Sequence, residues 1–207
     1  MPQRLGFTYR IENTAGSQSP PLVLLHGMGG SEDSLIDFGR AIAPDRKLIS
    51  LRGRMPWKDG YTFFLRRPDD SLDLDDLALR LPELIAFLCD LAAREGAPPV
   101  LVGYSIGAII SAALIAVEPV LASAAVLLRP MPPEQDFKPG PLDGFPVLML
   151  GGSHDERRKP EDFPKLERQL RTAGADVTAR LLIAGHGWEA SGLDIRLTHD
   201  WLGNLSR

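Results

Sequence analysis

The sequence predicts an α/β protein, with a mostly parallel sheet covered by helices on both faces. Three observations carry that expectation. Short aliphatic runs of strand length alternate with longer segments of helical periodicity along the whole chain. Such alternation builds a parallel sheet whose connections lie on its faces. Four glycine-flanked turns, around residues 26–30, 103–107, 151–155 and 184–187, each follow one of the apolar runs. In a sheet of this kind ligands sit at the carboxyl ends of the strands. The third observation is Pro99 to Leu114, PVLVGYSIGAIISAAL, which reads as strand, sharp turn and helix around the pentapeptide Gly103-Tyr104-Ser105-Ile106-Gly107.

The elements follow in order. Phe7 to Glu12 is read as an edge strand, residues 17–21 as a turn, and Leu22 to Leu25 as a buried strand ending in His26-Gly27-Met28-Gly29-Gly30. Ser31 is the expected N-cap, with Glu32 and Asp33 in the first turn of a helix that carries Leu35, Ile36, Phe38, Ala41 and Ile42 and stops before Pro44. Lys47 to Leu51 is the next strand. Arg52 to Asp70 is irregular, with Gly53, Pro56, Gly60 and Pro68; its rings Trp57, Tyr61, Phe63 and Phe64 either pack beneath the loop or line a cleft. Its arginines 52, 54, 66 and 67 form either a solvated surface or a basic rim.

Asp73 to Glu95 has apolar residues at 74, 77, 81, 84, 85, 88, 91 and 92, which is helical spacing; Pro82 predicts a kink or break, and Gly96 an end. Val100 to Val102 is the strand before Ser105, and the helix beyond it stops before Pro119. Ala122 to Leu128 and Pro146 to Leu150 are strands separated by a proline-rich loop, residues 129–145. Pro160 to Ala173 is a helix, Val177 to Ile183 a strand and Leu193 to Leu202 a helix.

Composition limits the functions available. The 207 residues fit one domain, 1–207, with a single core. A net charge of −4 gives no global electrostatic case for nucleic acid. The single cysteine, Cys89, excludes an internal disulfide and a cysteine-based metal cluster, and IAFLCDLAA reads as a helix with Cys89 as a small buried hydrophobe. The N-terminus lacks a signal-peptide core and no apolar run is long enough to span a membrane, so a cytoplasmic protein is expected.

Three of the strand-end turns supply the parts of a nucleophilic site: Ser105, Asp155 and His186, in that chain order. LLHGMGG at 24–30, GYSIG at 103–107, the aspartate of GGSHD and GHG at 185–187 together resemble the α/β-hydrolase superfamily, in its phospholipase/carboxylesterase (acyl-protein-thioesterase-like) group. Ile106 stands where many members of that group carry glutamine or another polar residue. The resemblance implies a compact α/β-hydrolase fold without a large cap domain. It also implies Ser105 as nucleophile, His186 as base and Asp155 as its orienting acid. Backbone N–H groups of Met28 and Ile106 would then form the oxyanion hole, and no cofactor or metal is implied. Rivals are His26 as a turn-forming histidine, His154 beside Asp155, His199 on the last helix, and Glu156 or Asp162 as the acid. His154 and Asp155 lack a third metal ligand of suitable spacing, and the glycines at 27, 29 and 30 match neither phosphate-loop pattern.

The expected function is hydrolysis of a small ester through an acyl-enzyme, with a thioesterase or lysophospholipase-type hydrolase as the alternative. A catalytically silent hydrolase fold that binds a ligand or partner is the alternative of another class.

Overall fold

The computed structural model describes residues 1–12, 19–134 and 136–205. In chain order the elements are β1 (Gln3–Arg4), β2 (Phe7–Glu12), β3 (Leu22–Leu25), α1 (Ile36–Ile42), β4 (Leu48–Leu51), β5 (Met55–Trp57) and β6 (Gly60–Thr62). They continue with α2 (Leu74–Glu95), β7 (Val100–Tyr104), α3 (Ile106–Val117), β8 (Ala124–Leu128), β9 (Pro146–Gly152), α4 (Asp162–Thr172), β10 (Asp176–Leu182) and α5 (Leu193–Leu205). Eight strands form one sheet in the order β1-β2-β4-β3-β7-β8-β9-β10. Pairing is antiparallel in β1–β2 and β2–β4 and parallel from β4 through to β10.

Side chains divide between the faces with the period of two that a strand imposes. Val23, Leu25, Leu101, Leu127, Val147 and Met149 pack with α2, α3 and α4. Leu22, Leu24, Val102, Val126, Leu148 and Leu150 face α1 and α5. Helices therefore cover both faces, as the aliphatic strands require. The chain goes from β3 outward to β4, then returns to β7 and proceeds the other way. The crevice between β3 and β7 is thus a topological switch point, where such sheets hold ligands.

Several local expectations are corrected. The two-residue β1 lies outside β2, so β2 is not the edge. Helix α1 begins after Leu35, and Ser31 instead closes a preceding turn, its Oγ accepting from the Asp33 N–H at 3.2 Å. Helix α2 runs unbroken through Pro82. Pro82 and Ala78, whose carbonyl loses its acceptor role there, are both on the exposed face, where water can take up that carbonyl. Cys89 is exposed, because Leu84, Phe87, Leu88 and Leu91 occupy the buried stripe of α2. Residues 55–62 form the β5–β6 hairpin inside the segment read as irregular. The turn expected at 17–21 lies partly outside the described residues. Among the described residues no helix is long and apolar enough to cross a membrane.

Candidate active site

Ser105 joins β7 to α3 in a conformation that few side chains adopt, φ 55° and ψ −111°. The turn survives because its neighbours lack side chains. A Cβ on Gly107 would overlap the Leu25 carbonyl oxygen of β3, and one on Gly103 would overlap the Gly107 carbonyl. The strain is offset by order around it: Ser105 N–H donates to the Leu128 carbonyl at 2.9 Å, fixing the turn to β8.

His186 and Asp155 reach the serine from adjacent strand ends. The loops after β9 and β10 are tied together by Ser153 N–H to Leu182 O at 2.8 Å and His154 N–H to Ala184 O at 2.9 Å. His186 Nδ1–H donates to Asp155, with Oδ2 at 2.8 Å and Oδ1 at 3.0 Å. That bond assigns the tautomer. His186 Nε2 is then an acceptor, and the Ser105 hydroxyl lies 2.9 Å from it. Burial holds the imidazole below its ordinary pKa; the Asp155 hydrogen bond opposes that shift, and the charges of Arg158 and Arg157 add to it. The ring is therefore neutral at pH 7 and able to accept a proton.

The loop after β3 is braced from below. His26 is fully buried; its Nδ1–H donates to Gly27 O at 2.7 Å and its Nε2 accepts from Gly53 N–H at 2.9 Å. Gly29 N–H donates to Tyr61 O, and Tyr61 N–H to Gly30 O, both at 2.9 Å, so β6 pairs with the loop. Trp57 lies against Gly29, while Phe63 and Phe64 are buried in the core. Ile106 is the first residue of α3, so its N–H has no acceptor within the helix. Among the described residues neither that N–H nor the one of Met28 donates to an acceptor.

The other candidates stand apart. His154 is exposed and meets Ser153 Oγ at 3.5 Å. His199 is exposed on α5 and contacts Ile42 O at 3.0 Å. Asp162 accepts from Lys159 N–H at 2.9 Å, and Glu156 is exposed. The arginines after β4 each hold a carboxylate: Arg52 with Glu32, Arg54 with Glu83, Arg66 with Asp70 and Arg67 with Asp75. They do not make a free basic rim. Among the described residues no cluster of three or more His, Cys, Asp or Glu could hold a metal.

Three residues that the sequence reading did not single out complete the site. Arg129, fully buried at the end of β8 with φ 52°, bonds both oxygens of Asp194 at 2.8 and 3.0 Å and donates to the Gly187 carbonyl at 2.7 Å. It thereby holds the loop that carries His186. Tyr104 OH donates to the His186 carbonyl at 2.7 Å. Arg158 Nη2 donates to Ser105 Oγ at 3.1 Å. The only local signal was the pair Arg157-Arg158 just after Asp155, and nothing in it says where either guanidinium points.

A sheet with this strand order, a strained serine between strand and helix, and an aspartate and histidine at the following strand ends define the α/β-hydrolase class. The profile of the Alpha/beta hydrolase family matches residues 22–206, and the chain belongs to that family. The chain is 33% identical over 174 residues to the protein of Bacillus subtilis (strain 168) named "Putative hydrolase MhqD", covering 83% of this chain and 87% of that one. Two similar solved structures are carboxylesterases. One, from Mesorhizobium loti, has TM-score 0.87 and 32% identity over 96% of this chain and 95% of that one. The other, from Bacillus cereus, has TM-score 0.88 and 28% identity over 96% and 94%. The protein is thus a hydrolase-family chain with carboxylesterases among its structural neighbours.

Proposed function

We propose that the protein is a cytoplasmic serine hydrolase that cleaves carboxylic esters of small soluble molecules through an acyl-enzyme. The observation that carries this reading is the unbroken hydrogen-bonded line from Ser105 Oγ through His186 to Asp155. A serine hydroxyl attacks an acyl carbon only when a base takes its proton as the bond forms. His186 Nε2 is at the distance that transfer needs, and Asp155 steadies the imidazolium that results.

The tetrahedral intermediate places negative charge on the former carbonyl oxygen. The Met28 and Ile106 N–H groups are the donors assigned to it; the positive end of α3 lies on the same side. His186 then protonates the departing alcohol. In the second half-reaction it activates a water, whose attack releases the acid and restores Ser105. Neither a cofactor nor a partner protein is needed for any of these steps.

A fluorophosphonate probe tests the nucleophile directly. Covalent labelling at Ser105 is expected, with Ser105→Ala losing both labelling and at least ~10³-fold of ester turnover. Adding His186→Ala to Ser105→Ala should cost little more, since the residues act as a unit. Equal labelling of the Ser105→Ala protein would sink the assignment and favour a silent ligand-binding fold.

A further inference from the structure

We propose that Arg158 selects esters whose acyl chain ends in a free carboxylate, so that the substrates are short dicarboxylic hemiesters. The inference rests on Ser105 being the nucleophile, as proposed above.

The guanidinium is fixed beside the reacting atom. Its Nε and Nη2 donate to the Arg129 carbonyl at 3.0 and 2.8 Å, its Nη1 donates to the Arg157 carbonyl at 3.0 Å, and Nη2 also donates to Ser105 Oγ. All of these acceptors are uncharged. Among the described residues no carboxylate lies within ion-pair distance of Arg158. Arg52, Arg54, Arg66, Arg80 and Arg129 each have such a partner. Burial pushes Arg158 down to about 10, so it remains a cation at neutral pH.

A half-buried cation without a counter-ion is costly, and an arriving anion removes that cost. Charges of both signs lie around it. Arg66 lies near enough for its charge to oppose that of Arg158, and Arg157 and Arg158 both bear on His186. The charges of Asp155 and Asp162 act in the opposite sense, Asp155 more strongly than Arg66, yet neither carboxylate lies within ion-pair distance of the guanidinium.

The geometry also sets the length. A guanidinium in contact with Ser105 Oγ can meet only a group that folds back within a few ångströms of the acyl carbon. A spacer of two or three carbons between scissile carbonyl and carboxylate satisfies this. Four of the five guanidinium N–H groups are engaged, and the remaining one, on Nη1, is free to donate a charge-assisted hydrogen bond to such a carboxylate. The reaction remains ordinary hydrolysis: hemiester and water give the dicarboxylate, the alcohol and a proton.

The test compares three ethyl esters of equal chain length in the wild-type protein: monoethyl glutarate (anionic), ethyl valerate (neutral) and ethyl 4-aminobutyrate (cationic). Ethanol release gives kcat/KM, and fluorophosphonate labelling runs in parallel. The expected order is anion over neutral over cation, with the anion favoured over the neutral ester by about ten- to a hundredfold. Arg158→Met should bring the anion-to-neutral ratio to near one. Arg158→Lys, which keeps the charge but not the planar guanidinium, should retain a several-fold preference and serves if the methionine variant does not fold. A wild-type ratio near one, or an Arg158→Met variant in which all three esters fall alike, would overturn the proposal and make Arg158 a structural brace. Labelling of Ser105 without turnover of the glutarate hemiester overturns the substrate class and leaves the nucleophile standing. Absence of both labelling and turnover overturns the underlying serine-hydrolase reading.

Discussion

His26 looks from the sequence like a rival base, yet its two ring nitrogens are both consumed by backbone groups. One donates to Gly27 and the other accepts from Gly53, in a site without solvent. That arrangement requires the neutral ring, and burial lowers its pKa from 6.5 to about 4. The consequence for stability has a definite sign. Between about pH 6.5 and 4 the unfolded chain holds a proton on His26 that the folded chain does not, so acid favours unfolding over that window. The effect saturates near ~3 kcal/mol below the folded-state value. We predict that urea unfolding of the wild type loses ~2 kcal/mol more between pH 7 and pH 4.5 than that of His26→Asn, which keeps a donor toward Gly27 but does not titrate. Parallel pH profiles for the two proteins would exclude His26 as the acid-sensitive brace. Arg129 and Ser105 illustrate the same scale differently. Both adopt positive φ at neighbouring strand ends, and both are held there by a network that uses the resulting side-chain direction.

At the scale of elements, the site is four loops locked to one another. The β3 loop is pinned by the β5–β6 hairpin, and the β9 and β10 loops by each other. The end of β8 is tied to the His186 loop and to α5 through Arg129 and Asp194. This last link is a buried ion pair, with side-chain exposures of 0% and 2%. Such a pair contributes little over an apolar replacement, but removing one partner strands the other charge. Arg129→Met should therefore cost ~3–5 kcal/mol in thermal or urea unfolding. Because the Gly185 and Gly187 carbonyls lose their donor too, kcat should fall more than the fluorophosphonate-accessible serine population does. A stable Arg129→Met protein with unchanged kcat would show that the loop is held without this pair.

At the scale of the whole molecule, what matters is that no separate cap domain is built among the described residues. Larger hydrolases of this fold insert a cap after the strand that follows the serine helix. Here that stretch is residues 129–145, and its apolar residues Phe137 and Leu142 are buried in the main core. Backbone bonds tie it flat: Gly140 N–H to Ala116 O at 2.9 Å and Leu142 N–H to Ala173 O at 2.7 Å. Its prolines keep it from forming a helix. Met131 and Phe145 are partly buried against the same core, so the apolar side chains described in this stretch pack inward rather than over a long acyl chain. A closed tunnel that buried each added methylene would contribute about 0.8 kcal/mol apiece, or about fourfold in kcat/KM. We predict instead that kcat/KM for aryl esters stays level or falls as the acyl chain grows from acetyl to decanoyl, with no jump at the micellar threshold. A continued steep rise would favour the lysophospholipase-type alternative.

The sequence by itself determined the alternation of strands and helices, the faces of the sheet and the strand ends at which chemistry-bearing residues stand. These are local properties: periodicity, turn glycines and the strand-turn-helix context of Ser105 are written within a dozen residues. Ser105, Asp155 and His186, which the structure brings into hydrogen-bond contact, stand out in the sequence as candidates because each sits in such a turn. Only the tertiary structure decided which titratable groups meet. His186 reaches Ser105 across 81 positions, Arg129 finds Asp194 across 65, and Arg158 turns to Ser105 across 53. Arg52, Arg54, Arg66 and Arg67 looked alike in sequence, and each was paired with a different carboxylate by the packing of its loop. A long side chain leaves no periodic trace of its direction, since its charge is satisfied by whatever the fold brings near it. For that reason Arg158, a half-buried arginine held beside Ser105 by uncharged acceptors, became visible only when the strand ends were assembled into one crevice.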